Sequence, residues 1–514
     1  MYPPETVALR STQVRALEAR AYESVPAGSL MQKVAMAIAV RAAGELREHR
    51  GLVVGGRVVL LVGTGDNGGD ALFAGAHLAR RGARVDALLT GDCAHAEGRI
   101  AFERAGGRCH QANVEFRVAR DLMFEADVII DGIVGIGGSG ALREPAAKLA
   151  ALTHAVDSIV IAVDLPSGVD CDSGHIPHPR QTVMADLTVT SGCLKPALVV
   201  MPAAQFSGDI EVVDIGLELT SIDDDELLIR IDDRLAAQWL DRPHELDHKF
   251  SRGVVGIASG SPRYPGAAVL STGGARGGIA GFVRYAGWAV QNVTAQFPDV
   301  VCADSIAAAG RVQCWVVGSG LGTDGIARTE VAAALNSDVC VVLDADAVTL
   351  LATDPELADL CRDRDRPTIL TPHRGEFQRL DGRPLSEDPI SHLTSVAERF
   401  GAIILLKGPT TLIVTASGSA YVVDSGPAEL GTAGSGDVLA GLMGSMIAAH
   451  DTVRSLDDEI ATEIAAVAAY VHGIAGQIAV ADGGTFTSVD VYEHLPAAIG
   501  FIRRAGEQGS DEGL

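Results

Sequence analysis

The chain has 514 residues, 47% of them hydrophobic and 21% charged, which suits two or three globular domains and excludes a disordered polymer. A formal net charge of −25 sets nucleic acid and anionic membrane aside as partners, because both would be repelled. Small phosphorylated ligands stay open, since backbone N–H groups can hold them locally.

Aromatic residues are only 4% while glycines number 59, so Ala, Val, Ile and Leu must build the cores. That mix suits parallel sheets covered by helices. The eight cysteines include no CxxC pair and no signal peptide is seen; reduced thiols of a cytoplasmic protein are expected.

In chain order, apolar runs at 57–65, 83–91, 126–135, 158–168, 185–192 and 210–216 predict strands, with helical stretches such as 70–82 between them. Strands separated by helices imply βαβ crossovers and a parallel, doubly wound sheet. The acidic stretch LTSIDDDELLIRIDD (219–233) breaks this alternation. A first domain is therefore placed at 1–218, a linker at 219–228 and a second domain at 229–505. Further strands are expected at 253–260, 314–320, 340–348, 367–376 and 402–409, then a hairpin at 412–424 turning at Gly418. Three helical stretches follow, and residues 506–514 read as a frayed tail. The second of those stretches, 464–481, lacks charged residues and is long enough to be weighed as a membrane span. Its Ala- and Gly-rich composition, with His472 and Gln477 inside it, fits a buried core helix better.

The strongest chemical signal is GTAGSGDVLAG (431–441), glycines that give way to a helix with Asp437 at the join. Unpartnered N–H groups and the dipole at a helix N-terminus favour phosphate. A carboxylate there can take the proton of an attacking hydroxyl, or simply cap the helix; the loop alone leaves both open. GSGLG (318–322), TPHRGEF (371–377) and LLKGPTT (405–411) each end a predicted strand, where α/β folds place ligands.

With YPGAAVL (264–270) and LDADAV (343–348), these motifs resemble the ADP/ATP-dependent NAD(P)H-hydrate dehydratase domain over 229–505. The resemblance implies a ribokinase-like α/β fold. It puts Gly436, Lys407, Gly408, Pro409, Thr410 and Thr411 on ADP or ATP, which comes with magnesium. It puts Ala268, with Ala267 next to it, Gly320, His373 and Asp437 on the hydrated nicotinamide dinucleotide. Arg374 stands where the family usually has Pro, which bears on the turn around His373.

In the first half, GTGDNGGDALFAG (63–75) follows a strand and opens a helix, but it is not GxGxxG and no acid ends the next strand, which disfavours an ordinary dehydrogenase. With DGIVGIGGSG (131–140) and VDLPSG (163–168) it resembles the NAD(P)H-hydrate epimerase domain, a Rossmann-like fold, over about 10–216. The resemblance implies that Asp66, Asn67, Gly68, Gly69 and Asp70 hold substrate together with Gly135, Ile136, Gly137, Gly138, Ser139, Gly140 and Ala141. Asn67, Asp131 and Ser167 would ligate potassium, Asp164 would meet the reacting carbon, and Lys195 would assist. As oxygen donors these suit a hard cation. Asp66 replaces a usual Asn, and Ala71 a usual Gly.

HELDH (244–248) matches a zinc-protease pattern, but Pro243 before it and SRGVVGIASG after it leave little room for the helix that pattern needs, so a loop is expected. Together these readings predict a homo-oligomeric bifunctional enzyme. Its first domain would epimerise hydrated NADH or NADPH, and its second would dehydrate the S epimer at the expense of ADP or ATP. The rival is a ribokinase-like small-molecule kinase fused to a non-catalytic dinucleotide-binding module.

Overall fold

The protein was analysed as a computed structural model that describes residues 2–26, 28–223, 226–452, 456–483 and 486–511. It divides into two compact units, Met1–Asp223 and Asp224–Leu514. The first includes, near its start, helix α1 (Ser11–Ser24). Its sheet comprises β1 (Arg57–Val62), β2 (Arg84–Leu89), β3 (Arg108–Gln111), β4 (Val128–Gly132), β5 (Ile159–Val163), β6 (Leu187–Ser191) and β7 (Asp209–Val213). All neighbouring pairs are parallel, in the order β3-β2-β1-β4-β5-β6-β7. The order reverses between β1 and β4, the switch point at which such sheets open a crevice beyond their C-terminal strand ends. Helix α2 (Asp66–Arg80) leaves β1 there. It starts earlier than 70, so residues 66–70 form its first turn instead of a loop.

The second unit begins with the short strand β8 (Leu228–Arg230), so residue 228 belongs to the sheet and not to a linker. Next come β9 (Val254–Ala258), β10 (Phe282–Ala286), β11 (Val301–Ala303), β12 (Cys314–Val317), β13 (Cys340–Leu343), β14 (Thr368–Leu370) and β15 (Ile403–Leu406). The hairpin follows as β16 (Thr411–Val414) and β17 (Ala420–Val423), with Gly418 at φ +111° in its turn. Within this unit the order is β8-β17-β16-β15-β14-β13-β12-β9-β10-β11, parallel except where β16 meets β15 and β17. The central strands are buried on both faces, as their unbroken Val, Ile and Leu runs require.

Helices α3 (Pro265–Gly277) and α5 (Ser435–His450) lie against this sheet; between them in sequence, α4 (Arg374–Asp381) follows β14. The chain ends in α6 (Asp458–Gly483) and α7 (Ser488–Asp511). Helix α7 therefore runs through most of the expected tail, of which 512–514 lie outside the described residues. By length and composition α6 could cross a membrane, yet 78% of its most apolar window is buried within the protein.

Small residues let α3 and α5 approach backbone to backbone. A Cβ at Gly441 would overlap the Ser271 carbonyl, and one at Gly274 would overlap that of Val438. This contact fixes the start of α5, and with it the glycine loop. Gly441→Ala should destabilise the second unit by roughly 1–3 kcal/mol through overpacking. Gly500→Ala, in the interior of α7 with only the Arg504 side chain near its added methyl, should be neutral or slightly stabilising. Trp239, Trp288 and Trp315, the only tryptophans in the chain, all lie in this unit, so tryptophan-monitored urea unfolding measures both.

Candidate active sites

Four strand ends and one helix start converge in the second unit. Lys407, just past β15, lies beside Asp344, just past β13, with Nζ 2.6 Å from Oδ1. The Asp344 carboxylate also accepts hydrogen bonds from the hydroxyls of Ser319 (2.7 Å) and Thr371 (2.8 Å), which follow β12 and β14. Burial opposes ionisation of Asp344, but Lys407 and the hydrogen bonds from Ser319 and Thr371 together hold the carboxyl below its ordinary pKa. Burial likewise opposes the charge on Lys407, and Asp344, Glu376 and Asp437 together raise its pKa above the ordinary value.

Asp437 faces this pair. The cap of α5 is Gly434, in a left-handed conformation (φ +90°), which leaves Asp437 as the third helical residue. The capping alternative therefore fails. Burial, then the nearby Asp344, push the Asp437 carboxyl up to about 7, against the opposing pull of Lys407 and a hydrogen bond with Ser319. The first-turn amides of α5 have no intrahelical acceptors. A Cβ on Gly436 would lie 3.2 Å from Lys407 Nζ, so the lysine sits directly over that turn. Gly408 and Pro409 are exposed, Thr410 is buried and Thr411 opens β16.

The backbone of Lys407 bridges to that of His373 at the next strand end. His373 caps α4: its Nδ1 accepts from the amides of Gly375 (3.0 Å) and Glu376 (3.2 Å), and Glu376 returns the contact to its backbone N–H at 2.9 Å. Arg374 occupies the first helical position, which Pro also suits, so the turn survives this departure. Gly320, at φ +61°, lies against Ala267 and Tyr264. Ala268 is wholly buried under Gly260. The half-buried Ala267, not Ala268, is the alanine beside Gly320, because one residue along a helix rotates the side chain by about 100°.

In the first unit, the Asn67 side chain donates to Val163 O at 2.8 Å, which turns its oxygen toward Gly135. A Cβ on Gly135 would lie 2.7 Å from that oxygen and 2.9 Å from Asp164 Oδ2, so all three share one edge of the crevice. Asp164 adopts φ +68°, a conformation rare outside glycine. Hydrogen bonds hold it there: Ile136 N at 3.2 Å on Oδ2, and Thr190 Oγ1 (3.1 Å) and Lys195 Nζ (2.6 Å) on Oδ1. Lys195 is completely buried and also donates to Thr190 Oγ1 and Ser191 O. Burial alone would lower its pKa, but Asp164, with smaller contributions from Cys193 and Cys171, raises it above the ordinary value.

Asp131 and Ser167 form a second group. The Ser167 hydroxyl and amide donate to the two Asp131 oxygens, each at 2.8 Å. Burial pushes the Asp131 carboxyl up to about 6, opposed only by hydrogen bonds from Ser167 and Ile133. Asp70 is not a helix cap, since α2 begins before it. Its Oδ1 is buried without a partner, and burial, then Asp164, Asp66 and Glu18, hold its carboxyl well above the ordinary range. Gly68 and Gly69 are buried, whereas Gly137, Ser139, Gly140 and Ala141 are exposed on the loop after β4 and Gly138 is half-buried. A Cβ on Gly132 would collide with Ala71; the glycine makes room for the extra methyl of that departure.

Sequence reading missed several participants. Glu18 and Tyr22 lie four apart on α1, and their ionisation is shifted by burial and by the acids of this crevice; no motif marks them. Asp344, in LDADAV, is another, and an acid directly after the apolar VVL is its signal. His472, buried in α6, has Nε2 3.0 Å from Ser435 O behind the glycine loop, and burial lowers it to about 4. HELDH forms turns, not a helix, and no cluster of metal-binding side chains occurs among the described residues. All eight cysteines are free.

Comparison with known proteins adds an independent line. The profile described as NAD(P)H-hydrate dehydratase matches residues 255–497, and that described as YjeF-related protein N-terminus matches 27–197. The bifunctional NAD(P)H-hydrate repair enzyme Nnr of Mycobacterium leprae is 44% identical, covering 92% of this chain and 93% of its own. This chain belongs to the bifunctional NAD(P)H-hydrate repair enzyme family. The Nnr enzyme of Corynebacterium glutamicum is 34% identical over 82% of this chain and 85% of its own. The Bacillus subtilis ADP/ATP-dependent NAD(P)H-hydrate dehydratase, crystallised with ATP/Mg2+, aligns at 23% identity and TM-score 0.46 over 53% of this chain and 97% of its own.

Asp437 carries a stability signature. A carboxyl raised to about 7 in the folded state contributes stability that is fully present below its ordinary value of 3.8 and lost as pH rises through about 7. Asparagine mimics the neutral form at every pH. The stability of Asp437→Asn relative to the unmodified protein should therefore increase between pH 4 and pH 8, as read by urea unfolding. An equal difference at both values would place Asp437 in water.

Proposed function

We propose that this chain is a two-step repair enzyme for hydrated NADH and NADPH, in which the first unit equilibrates the two epimers and the second dehydrates the S epimer using ADP or ATP. The observation that carries the reading is Asp437: a half-buried carboxyl near neutrality, in the first turn of a glycine-led helix, facing a Lys–Asp pair.

A hydroxyl is a poor leaving group, so the second unit would convert it to a phosphate ester first. Asp437 is placed to take the hydroxyl proton while oxygen attacks the terminal phosphorus of the nucleotide. The α5 amides and Lys407 stabilise charge gathering on the phosphoryl oxygens. The ester then leaves as phosphate, a ring proton is lost, and the double bond returns. His373, Gly320 and Ala267 would border the dinucleotide, and Gly408 to Thr411 the nucleotide. Magnesium would enter with the nucleotide phosphates, because Asp344 is already engaged by Lys407, Ser319 and Thr371. It would neutralise phosphoryl charge.

In the first unit, Lys195 and Thr190 hold Asp164 in its left-handed conformation toward the crevice, beside Asn67. Asp164 would meet the substrate near its epimerising carbon, with residues 66–70 and 135–141 around the dinucleotide. Potassium fits Asn67, Asp131 and Ser167: all offer oxygen, and the buried Asp131 carboxyl has no cationic side chain among the influences on it. The cation would offset the negative field of Asp66, Asp70 and Glu18 against an incoming diphosphate.

Incubating the full chain with mixed hydrate epimers should restore dihydronicotinamide absorbance only when ADP or ATP is added. Asp437→Asn should bind nucleotide normally and lose this recovery by roughly a hundredfold or more. Asp164→Asn should halt epimer exchange and still convert the S epimer. A stable phosphorylated hydrate in place of absorbance recovery would mark a kinase instead.

A further inference from the structure

The second unit contains a cavity at the end of its sheet opposite Asp437. Its volume is about 900 Å³, and its walls include Val254 at the start of β9, Gln313 just before β12, Val339 just before β13 and Arg366 just before β14. None of the residues proposed above for the nucleotide or the dinucleotide lines it.

Its charge is unusual for so acidic a chain. Arg284, Arg311 and Arg366 line it, with His248, against Asp338 and Asp451. Asp451 is already engaged by Arg366 at 2.5 Å, and Asp338 is exposed. Elsewhere on the surface, arginines such as Arg50, Arg57 and Arg328 each reach a carboxylate. Arg284 instead rests over the Phe282 ring, 5.0 Å from its centroid. The Nε atoms of Arg284 and Arg366 are both buried with no hydrogen-bond acceptor, an arrangement that costs free energy unless something accepts those protons. His248 accepts the Ser251 amide at 3.0 Å through Nδ1, so its Nε2 is the N–H of the neutral ring and a further donor. Phe250 and Val312 add an apolar wall.

Several guanidinium groups, two with buried donors left over, match the oxygens of a phosphate group, which guanidinium forks recognise through paired short hydrogen bonds. We propose that this cavity is a second anion site, which binds a small phosphate-bearing metabolite at the opposite end of the sheet from the nucleotide. Arg284 and Arg311 would supply its charge, Arg366 and His248 further donors, and Phe250 the contact for the organic part.

Inorganic phosphate is the probe. Calorimetric titration of the full chain, with the nucleotide site already saturated by ADP and magnesium, should show saturable phosphate uptake that matched chloride does not reproduce. Arg284→Gln combined with Arg311→Gln should weaken that uptake at least tenfold while leaving the affinity for ADP unchanged. Arg311 is exposed and has no structural ion pair among the described residues, so Arg311→Glu alone gives a folded test and should show the same loss. No phosphate uptake beyond chloride, or uptake as tight in Arg311→Glu as in the unmodified protein, would overturn the proposal.

Discussion

A buried lysine–aspartate pair at the end of a parallel sheet is the constraint on which each half of this molecule depends. Lys407 and Asp344 form it in the second unit, Lys195 and Asp164 in the first, both at 2.6 Å. Removing one partner of such a pair leaves a charge without compensation in the interior, at a cost of about 3–5 kcal/mol. The pairs therefore confine the site geometry closely. In each unit another carboxyl, Asp437 or Asp70, lies near the aspartate of the pair and is held up by burial and that neighbour. One lysine cannot neutralise two neighbouring acids, so Asp437 is left ready to hold a proton near neutral pH, and Asp70 is held well above the ordinary carboxylate range.

The rest of the fold serves to place these groups. Parallel strands deliver their C-terminal ends to one edge, and short turns there expose side chains from β12, β13, β14 and β15 within hydrogen-bonding reach of one another. Helix α5 brings Asp437 from the other side, and its close backbone contact with α3 through Gly274 and Gly441 sets how far it reaches. His472 steadies the same loop from behind through Ser435. A chain with net charge −25 can hold polyphosphate ligands because this edge gathers helix amides and a lysine locally.

Much of this was legible in the sequence, because unbroken apolar runs and glycine punctuation mark buried parallel strands. Most of the strands that escaped lack such runs, and Val301–Ala303, apolar but only three residues long, escaped for its shortness. Arg108–Gln111 is polar throughout at a sheet edge, Phe282–Ala286 carries Arg284 at its centre, and Leu228–Arg230 hides in an acidic stretch. The motifs name residue types at strand ends, but not the way each side chain turns. Asp437 looked like a possible cap until Gly434 proved to be the helix start, and Ala268 turned inward while Ala267 faces Gly320. Glu18, Tyr22 and His472 approach their sites from distant helices, a juxtaposition that only tertiary packing creates.

Asp437, raised by burial and by Asp344, is the proposed base for the nucleotide-dependent step. The pH dependence of kcat/KM for that step tests it most directly, because it reports the free enzyme. The expected rate rises with pH and levels off above a midpoint near 7, the value to which the Asp437 carboxyl is pushed. The same ascending limb should vanish from the residual activity of Asp437→Asn. A flat profile between about pH 5.5 and 9, or an unchanged limb in that variant, would contradict it.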